Sequence, residues 1–229
     1  MDPELIRLTL GGDPVEVCLL DLDLLSGLDS TADRFLTEPE WSEYAELRQP
    51  ARRREWLGAR VGLKLMAVRR GAVDEPLRCA VVKDPRGRPR LVHVTDFAAP
   101  VLADCSLSHK GRFACAAASR AAGLRIGVDI EEVSPRLLGL VRAFVHERDR
   151  LDPRHSEPER LAILWALKEA CSKVVGQGLA MGLREVMCEE TSPGHHRVVI
   201  AGVELAGRHT IHEGHAVALC FGSGRKLEG

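Results

Sequence analysis

The chain has 229 residues, of which 45% are hydrophobic and 28% are charged. This length allows one large domain or two small ones, and the hydrophobic share is sufficient to build a core. Because 32 Lys and Arg residues oppose 33 Asp and Glu residues, the formal net charge is -1, which argues against a nucleic-acid binder that depends on overall basic charge.

Three segments near the start of the chain have regular hydrophobic patterns. VEVCLLDLD, at residues 15–23, is typical of a buried strand, and residues 52–70 carry apolar side chains at helical spacing. Gly71 is positioned to end that helix. Residues 79–84 and 90–94, on either side of the turn PRGRP, predict two strands joined by that turn.

The following segments predict more strands, a helix and a loop. CSLSHKGRFACAAAS, at residues 105–119, is typical of a strand pair. GLRIGVDIEEV, at residues 123–133, predicts a strand in which apolar and polar residues alternate. A helix is predicted over residues 136–148, and a surface loop over residues 149–159, which are charged and include two prolines.

The seven cysteines have no metal-binding or redox spacing. The closest pair, Cys105 and Cys115, is ten residues apart, so no CxxC pair can hold zinc or form a redox dithiol. Most of them lie in apolar runs, where a free cysteine acts as a small buried hydrophobe, and this usage is typical of a reducing cytoplasm. Without an apolar run of about eighteen residues or an export signal, the sequence predicts a soluble cytoplasmic protein with no membrane partner.

Parts of the first half recur in the second half. Residues 56–64 and 165–173 both begin with Trp and end with Lys, at an offset of 109 residues. Residues 109–118 resemble 212–221 at an offset of 103. Two such echoes in one order predict a duplicated α+β unit of roughly a hundred residues, with a ligand in the groove between the halves. We place these halves at residues 1–124 and 125–229.

Two acidic residues, Asp129 and Glu131, lie two positions apart in the predicted strand GVDIE. They therefore share one face of it, and the other face belongs to the core. The later helix adds Glu169, with Lys173 one turn beyond. Three carboxylates without a thiol or imidazole favour a hard cation, Mg²⁺ first, and the lysine suits a phosphate bound to the same metal. The ordinary alternative is a solvated strand edge and a surface i, i+4 ion pair.

Five segments, in one order, resemble a known family. They are RREWLGAR (53–60), PRGRP (85–89), SLSHKGRFACA (106–116), GVDIE (127–131) and WALKEACSKVVGQGL (165–179). Together they resemble the 4′-phosphopantetheinyl transferases of the Sfp type. The resemblance implies an α+β pseudo-dimer of two similar halves with the active site, and bound coenzyme A, in the cleft between them. It also implies transfer of the phosphopantetheine arm of coenzyme A to a serine of an apo acyl, polyketide or peptidyl carrier protein, with release of adenosine 3′,5′-bisphosphate.

The resemblance also implies roles for individual residues. Asp129, Glu131 and Glu169 match the metal-binding acids, and Lys173 matches a lysine that contacts phosphate. The serine proton needs an acceptor, for which Glu169, directly or through a metal-bound water, is the first candidate and Glu147 the second.

Other residues match positions that bind coenzyme A in the family. Ser108 and His109 are implied to reach the 3′-phosphate, and Arg53 and Arg60 the far end of the molecule. Arg88, in the PRGRP turn, stands where the family has Lys in a Gly-Lys-Pro segment that lies against the adenine. The ordinary alternatives are a structural histidine on a strand and a solvated arginine face of a helix.

Two other functions compete with the transferase. A metal-dependent nuclease also uses acids and a lysine, but in nucleases the strand acid usually has a neighbouring Lys, whereas Glu131 is followed by Glu132 and Val133. The other alternative is an inactive module that binds coenzyme A or a carrier protein. Because a duplicated unit already supplies two halves, we expect a monomer. From the balanced charge we expect no nucleic-acid partner.

Overall fold

A computed structural model of the protein describes residues 4–12, 14–25, 27–176 and 182–224. Residues 177–179, which end the last of the five motifs, lie outside the described residues, as do the outer ends of the two predicted halves. The chain divides into two compact units, Met1–Thr9 with Asp13–Ala122 and Leu10–Gly12 with Gly123–Gly229. Each unit combines helices with antiparallel strands, which confirms a mixed architecture.

The first unit contains two sheets and three helices in its described part. Its strands are β1 (Leu5–Gly12), β2 (Val15–Asp21), β3 (Cys79–Lys83), β4 (Pro89–His93), β5 (Asp96–Pro100), β6 (Asp104–Lys110) and β7 (Phe113–Ser119). Its helices are α1 (Leu28–Phe35), α2 (Glu38–Glu46) and α3 (Pro50–Arg69). One sheet has the order β1-β2-β7-β6 and the other β3-β4-β5. The strand pairs predicted on either side of PRGRP and within residues 105–119 are confirmed.

Helix α3 builds the core of the first unit by packing on β2, β6 and β7. Leu57, Val61 and Leu65 recur at helical spacing and are buried, so one stripe of the helix faces the sheet. The helix begins at Pro50, where a missing N–H needs no partner. Gly71, with φ of 63°, follows its end, which confirms the predicted stop.

The second unit has one five-stranded sheet covered by one long helix. In its described part the strands are β8 (Leu124–Glu132), β9 (Met187–Ser192), β10 (His195–Ile200), β11 (Val203–His212) and β12 (His215–Ser223). The helices are α4 (Val141–Phe144) and α5 (Glu157–Val175). The sheet order is β8-β12-β11-β10-β9, and α5 packs mainly on β8 and β12.

The helix predicted over residues 136–148 is wrong in its extent. A 3₁₀ turn covers Pro135–Leu140, and α4 ends at Phe144. The chain turns there because the Phe144 carbonyl accepts a hydrogen bond from Lys168 Nζ at 2.7 Å, while the His146 N–H donates to Asp149 Oδ2 at 2.7 Å. The predicted surface loop is also wrong at both ends, because the Asp149 side chain is buried and α5 already begins at Glu157.

Each unit contains a buried lysine that ties its long helix to the segment before it. In the first unit, Lys64 Nζ donates to the Phe35 carbonyl at 2.6 Å and to Glu40 Oε2 at 2.5 Å. The Val81 N–H donates to the other Glu40 oxygen at 3.0 Å. A buried ammonium needs a counter-charge and hydrogen-bond acceptors, and here Glu40 supplies the charge while two of the three N–H donors are paired. We call it the lysine clip of the first unit.

The second unit repeats this clip around Lys168. Its Nζ donates to the Phe144 carbonyl and to Asp149 Oδ2, each at 2.7 Å, and the Cys188 N–H donates to Asp149 Oδ1 at 2.8 Å. By these contacts, Lys168 is the residue of the second unit that resembles Lys64. The match of residues 56–64 with 165–173 at an offset of 109, which paired Lys64 with Lys173, is wrong by five residues on the helix.

All seven cysteines are buried free thiols, as their apolar context predicts. Burial raises the pKa of the Cys18 and Cys171 thiols to about 12, so neither forms a reactive thiolate at neutral pH. In the part of the chain that the structure describes, no helix is both long enough and apolar enough to span a membrane.

Candidate functional site

Strand β8 presents Asp129 and Glu131 toward α5. Asp129 pairs with Ala218 and Glu131 with Ala216 of β12, and these alanines belong to the core under α5. The alternate residues Val128 and Ile130 are buried as well. The two acids do share a face, as their spacing predicts, but that face is covered, since only 7% of Asp129 and 5% of Glu131 is exposed.

Gly127 allows α5 to lie directly on β8. A Cβ atom at this position would be 2.1 Å from the carbonyl oxygen of Ala170 and 3.1 Å from Cβ of Lys173. No side chain fits in that space, so the glycine determines how closely the helix approaches the strand. The helical segment held in this way is the one that carries Glu169 and Lys173.

Glu169 and Lys173 meet the strand acids from α5. Lys173 Nζ donates to Asp129 Oδ1 and to the Val128 carbonyl, each at 2.8 Å. Burial raises the pKa of Glu169, the negative charges of Asp129 and Glu131 raise it further, and Lys173 lowers it. The three carboxylates therefore form one electrostatic cluster with an ammonium at its edge.

A second cation approaches the cluster from the following turn. Arg136 Nη2 donates to Glu131 Oε1 at 3.3 Å, and its side chain is 58% exposed. Among the described residues the three acids do not each place an oxygen within 4.8 Å of the other two. The donor set is nevertheless carboxylate oxygen alone, which suits Mg²⁺, and a shared ion requires these side chains to draw together.

His109 lies on β6 beside the start of α3. Its Nδ1 is 3.2 Å from Glu55 Oε2, and its Nε2 is 3.5 Å from Arg52 Nη1. Ser108, the residue before it, is buried. Sequence reasoning missed Arg52 and Glu55 as neighbours of His109, although their i, i+3 spacing places both on one side of α3.

Arg53, the residue after Arg52 on α3, contacts Tyr44 and Asp29. Its guanidinium carbon lies 4.2 Å from the centre of the Tyr44 ring, and Nη2 lies 3.3 Å from Asp29 Oδ1. The side chain is 32% exposed, so part of it is accessible to a ligand.

Arg60 is enclosed between α2 and α3. Only 4% of it is exposed, its guanidinium carbon lies 3.2 Å from the centre of the Trp56 ring, and Nη2 donates to Glu43 Oε2 at 3.2 Å. Burial lowers the pKa of Arg60 to about 10, against the opposing charges of Glu40 and Glu43. These contacts make Arg60 a link between helices and leave little of it for a ligand.

Arg88 and Glu147 are the remaining residues to which the sequence gives a functional role. Arg88 Nη2 donates to both oxygens of Asp104, at 3.1 and 2.8 Å, and its side chain is 10% exposed. Glu147 is exposed, and its carbonyl accepts a hydrogen bond from Arg150 at 2.9 Å.

Comparison with protein families gives a match within the second unit. Residues 125–220 match the model of the 4'-phosphopantetheinyl transferase superfamily, and this segment contains Asp129, Glu131, Glu169 and Lys173. Among solved structures, the holo-[acyl-carrier-protein] synthase of Helicobacter pylori in complex with coenzyme A is similar at 19% identity. That alignment covers 42% of this chain and 96% of that chain, with a TM-score of 0.33. Comparison with curated proteins gives no match.

Proposed function

We propose that the protein is a 4′-phosphopantetheinyl transferase of the Sfp type. It transfers the phosphopantetheine arm of coenzyme A to a serine of an apo acyl, polyketide or peptidyl carrier protein and releases adenosine 3′,5′-bisphosphate. The observation that carries this proposal is the meeting of Asp129, Glu131, Glu169 and Lys173 inside the segment that matches the superfamily model. The protein is proposed to act as a cytoplasmic monomer without a nucleic-acid partner.

The reaction defines which groups the site must provide. The serine oxygen forms a bond to the β-phosphorus of the coenzyme A pyrophosphate, and the bond from that phosphorus to the bridging oxygen breaks. The serine proton must be accepted, and negative charge collects on the departing α-phosphate. The site therefore needs a base and a concentration of positive charge.

Asp129, Glu131 and Glu169 are the residues that would hold Mg²⁺. Their fit to a dication rests on charge, because the negative charges of the strand acids raise the pKa of Glu169, and a dication relieves that repulsion. When bound, Mg²⁺ supplies neutralising charge to the pyrophosphate.

Lys173 supplies a positive charge that the fold has already positioned. Its ammonium is fixed by Asp129 and by the Val128 carbonyl, and its side chain is 29% exposed. Such a preorganised donor stabilises charge on the leaving phosphate without a rearrangement during the reaction.

Glu169 is the first choice for the base that accepts the serine proton. Its pKa is raised by burial and by the neighbouring acids, and a carboxylate with a raised pKa is a stronger base. A water beside Glu169 and the exposed Glu147 are the alternatives.

The first unit is proposed to bind the nucleotide end of coenzyme A. Ser108, His109 and Arg53 are assigned to the 3′-phosphate, and the turn that contains Arg88 is assigned to the adenine. The Arg88 side chain is engaged with Asp104, so the turn backbone is the part assigned to the base. We leave Arg60 out of this proposal because its guanidinium is engaged with Trp56 and Glu43.

Incubation with coenzyme A, Mg²⁺ and a panel of apo carrier proteins tests the proposal. The expected result is a carrier whose intact mass rises by one phosphopantetheine group. Asp129→Ala should abolish the transfer, while Glu132→Ala, on the neighbouring exposed residue, should retain it.

Two other results would favour the competing functions. Thermal stabilisation by coenzyme A without transfer to any carrier would favour an inactive binding module. Stabilisation by DNA with Mg²⁺, together with cleavage of the DNA, would favour a nuclease.

A further inference from the structure

A separate cluster of metal-ligating side chains lies at the start of α5. His155 precedes the helix, Glu190 belongs to β9 and His209 to β11. Each residue can place one ligand atom within 4.8 Å of the other two. The helix rises about 1.5 Å per residue, so the N-cap at Ser156 is roughly 20 Å along its axis from Glu169. This cluster is therefore distinct from the acids on β8.

We propose that His155, Glu190 and His209 bind a transition-metal dication, Zn²⁺ in the first instance, and that the ion ties the start of α5 to the sheet. Two imidazoles and one carboxylate form a ligand set that Zn²⁺ accepts, in contrast to the all-oxygen set that suits Mg²⁺. Tetrahedral coordination with bonds of about 2.0–2.1 Å places ligand atoms roughly 3.3 Å apart. The present spacing therefore needs to close by about 1.5 Å at most, within the reach of side-chain rotation.

His196 provides a hydrogen-bond partner for the ring nitrogen of His209 that would not bind the metal. Its Nε2 is 2.6 Å from Nδ1 of His209, and only 4% of the residue is exposed. A metal-bound histidine normally donates its other ring N–H to a neighbouring group, which fixes the tautomer. With the Nδ1–H of His209 donated to His196, Nε2 of His209 keeps its lone pair for the metal.

The remaining ring nitrogen of His196 is unusual. Among the described residues its Nδ1 is buried without a hydrogen-bond partner. Leaving a buried polar atom unpaired is unfavourable, and such groups tend to be retained where they serve a function. The unpaired Nδ1 belongs to the tautomer of His196 whose Nε2 can accept a hydrogen bond from His209, and this bond orients His209 for metal binding.

Glu190 is held in place by two backbone donors. The Asp152 N–H donates to Oε2 at 2.7 Å, and the Gly194 N–H donates to Oε1 at 2.9 Å. Each carboxylate oxygen has more than one lone pair, so both bonds can persist while one oxygen binds a metal. The loop before α5 and the turn between β9 and β10 thus converge on the proposed ion.

Titration of the metal-free protein with Zn²⁺, in excess Mg²⁺, tests this proposal by calorimetry. Wild type should bind Zn²⁺ at this cluster with a gain in thermal stability, and Asp129→Ala should retain that binding because it alters only the acid site. His155→Ala and His209→Ala should weaken it by at least about 100-fold, and His196→Ala by about 10–100-fold. The matched control is His195→Ala, an exposed neighbour whose Nδ1 lies 3.0 Å from the Pro193 carbonyl oxygen.

Substitution with Co²⁺ gives a readout that does not depend on activity. Co²⁺ bound by four ligands that include histidine nitrogens absorbs visible light strongly, whereas Co²⁺ bound by six oxygens absorbs weakly. The intense band should therefore vanish in His155→Ala. His155 lies in a partly exposed loop, so this variant decides the question even if His209→Ala does not fold. The proposal is overturned if wild type takes up no Zn²⁺, or if His155→Ala binds Zn²⁺ as tightly as wild type.

Discussion

Replacing Gly127 with alanine should move α5 away from β8 without removing any proposed catalytic group. The new Cβ would lie 2.1 Å from the Ala170 carbonyl oxygen, and contacts of this kind need at least 3.0 Å. The strand and the helix must therefore separate by about 0.9 Å at this point. Both partners of the clash are held by regular secondary structure, so neither can turn aside.

The size of the effect follows from this displacement. Overpacking of a core costs about 1–3 kcal/mol of stability. A misplacement of about 1 Å in a catalytic group lowers the rate by up to about 10²-fold, and the displaced segment carries Glu169 and Lys173. Alanine is otherwise favoured over glycine inside a strand, so a loss of stability would come from the clash alone.

Gly62→Ala is the matched control for this substitution. An ideal Cβ at Gly62, in α3, would meet only Cβ of Ala116 at 3.8 Å, an ordinary contact. Alanine inside a helix is favoured over glycine by about 1 kcal/mol, so this variant should gain stability. Urea denaturation should therefore shift in opposite directions for the two substitutions, and transfer of phosphopantetheine should slow only in Gly127→Ala. An unchanged denaturation midpoint and an unchanged kcat for Gly127→Ala would refute the role given to this glycine.

Three further results are expected. Lys173→Ala should lower kcat by about ten to a thousandfold, both with coenzyme A and with 3′-dephospho-coenzyme A. His109→Ala should mainly raise KM for coenzyme A. If the two variants depended equally on the 3′-phosphate, these assignments would be contradicted. Lys168→Met leaves the buried Asp149 carboxylate without its cation. The free energy of unfolding, measured by denaturation, should therefore fall by about 3–5 kcal/mol. An unaltered denaturation midpoint would show that the clip is dispensable. In the metal-free protein the pKa of Glu169 is raised, so the folded state binds this proton more tightly than the unfolded chain does. The contribution of Glu169 to stability is therefore present at low pH and is lost as the pH rises through the raised pKa, a dependence that denaturation midpoints should show for wild type and not for Glu169→Gln.

Hydrophobic periodicity predicted the elements whose stability comes from packing on one face. Helix α3, the hairpin of β6 and β7, and strand β8 all occur within a few residues of their predicted positions. The predicted helix over residues 136–148 failed because its end is determined by a distant side chain. Lys168 lies more than twenty residues later in the sequence, and its bond to the Phe144 carbonyl stops the helix there. No local pattern contains that information.

The candidate site was predictable to the extent that it depends on spacing within one element. The i, i+2 spacing of Asp129 and Glu131 placed both acids on one face of β8. The burial of Arg60 was not predictable, because it depends on Trp56 of its own helix and on Glu43 of another. The histidine cluster was missed for the same reason, since its members come from separate loops and strands that only the fold brings together.

The two units have a similar strand and helix arrangement, and they differ at two positions that bear on the chemistry. In both units a strand pairs with the last strand of a hairpin, and the long helix covers the alanines of that last strand. In the first unit the residues opposite two of these alanines are Cys18 and Leu20, and both are core. In the second unit the corresponding residues are Asp129 and Glu131. Both units thus contain a helix-covered sheet, but only in the second are these two positions carboxylates, and there Gly127 brings the helix close enough for its own charged side chains to join them.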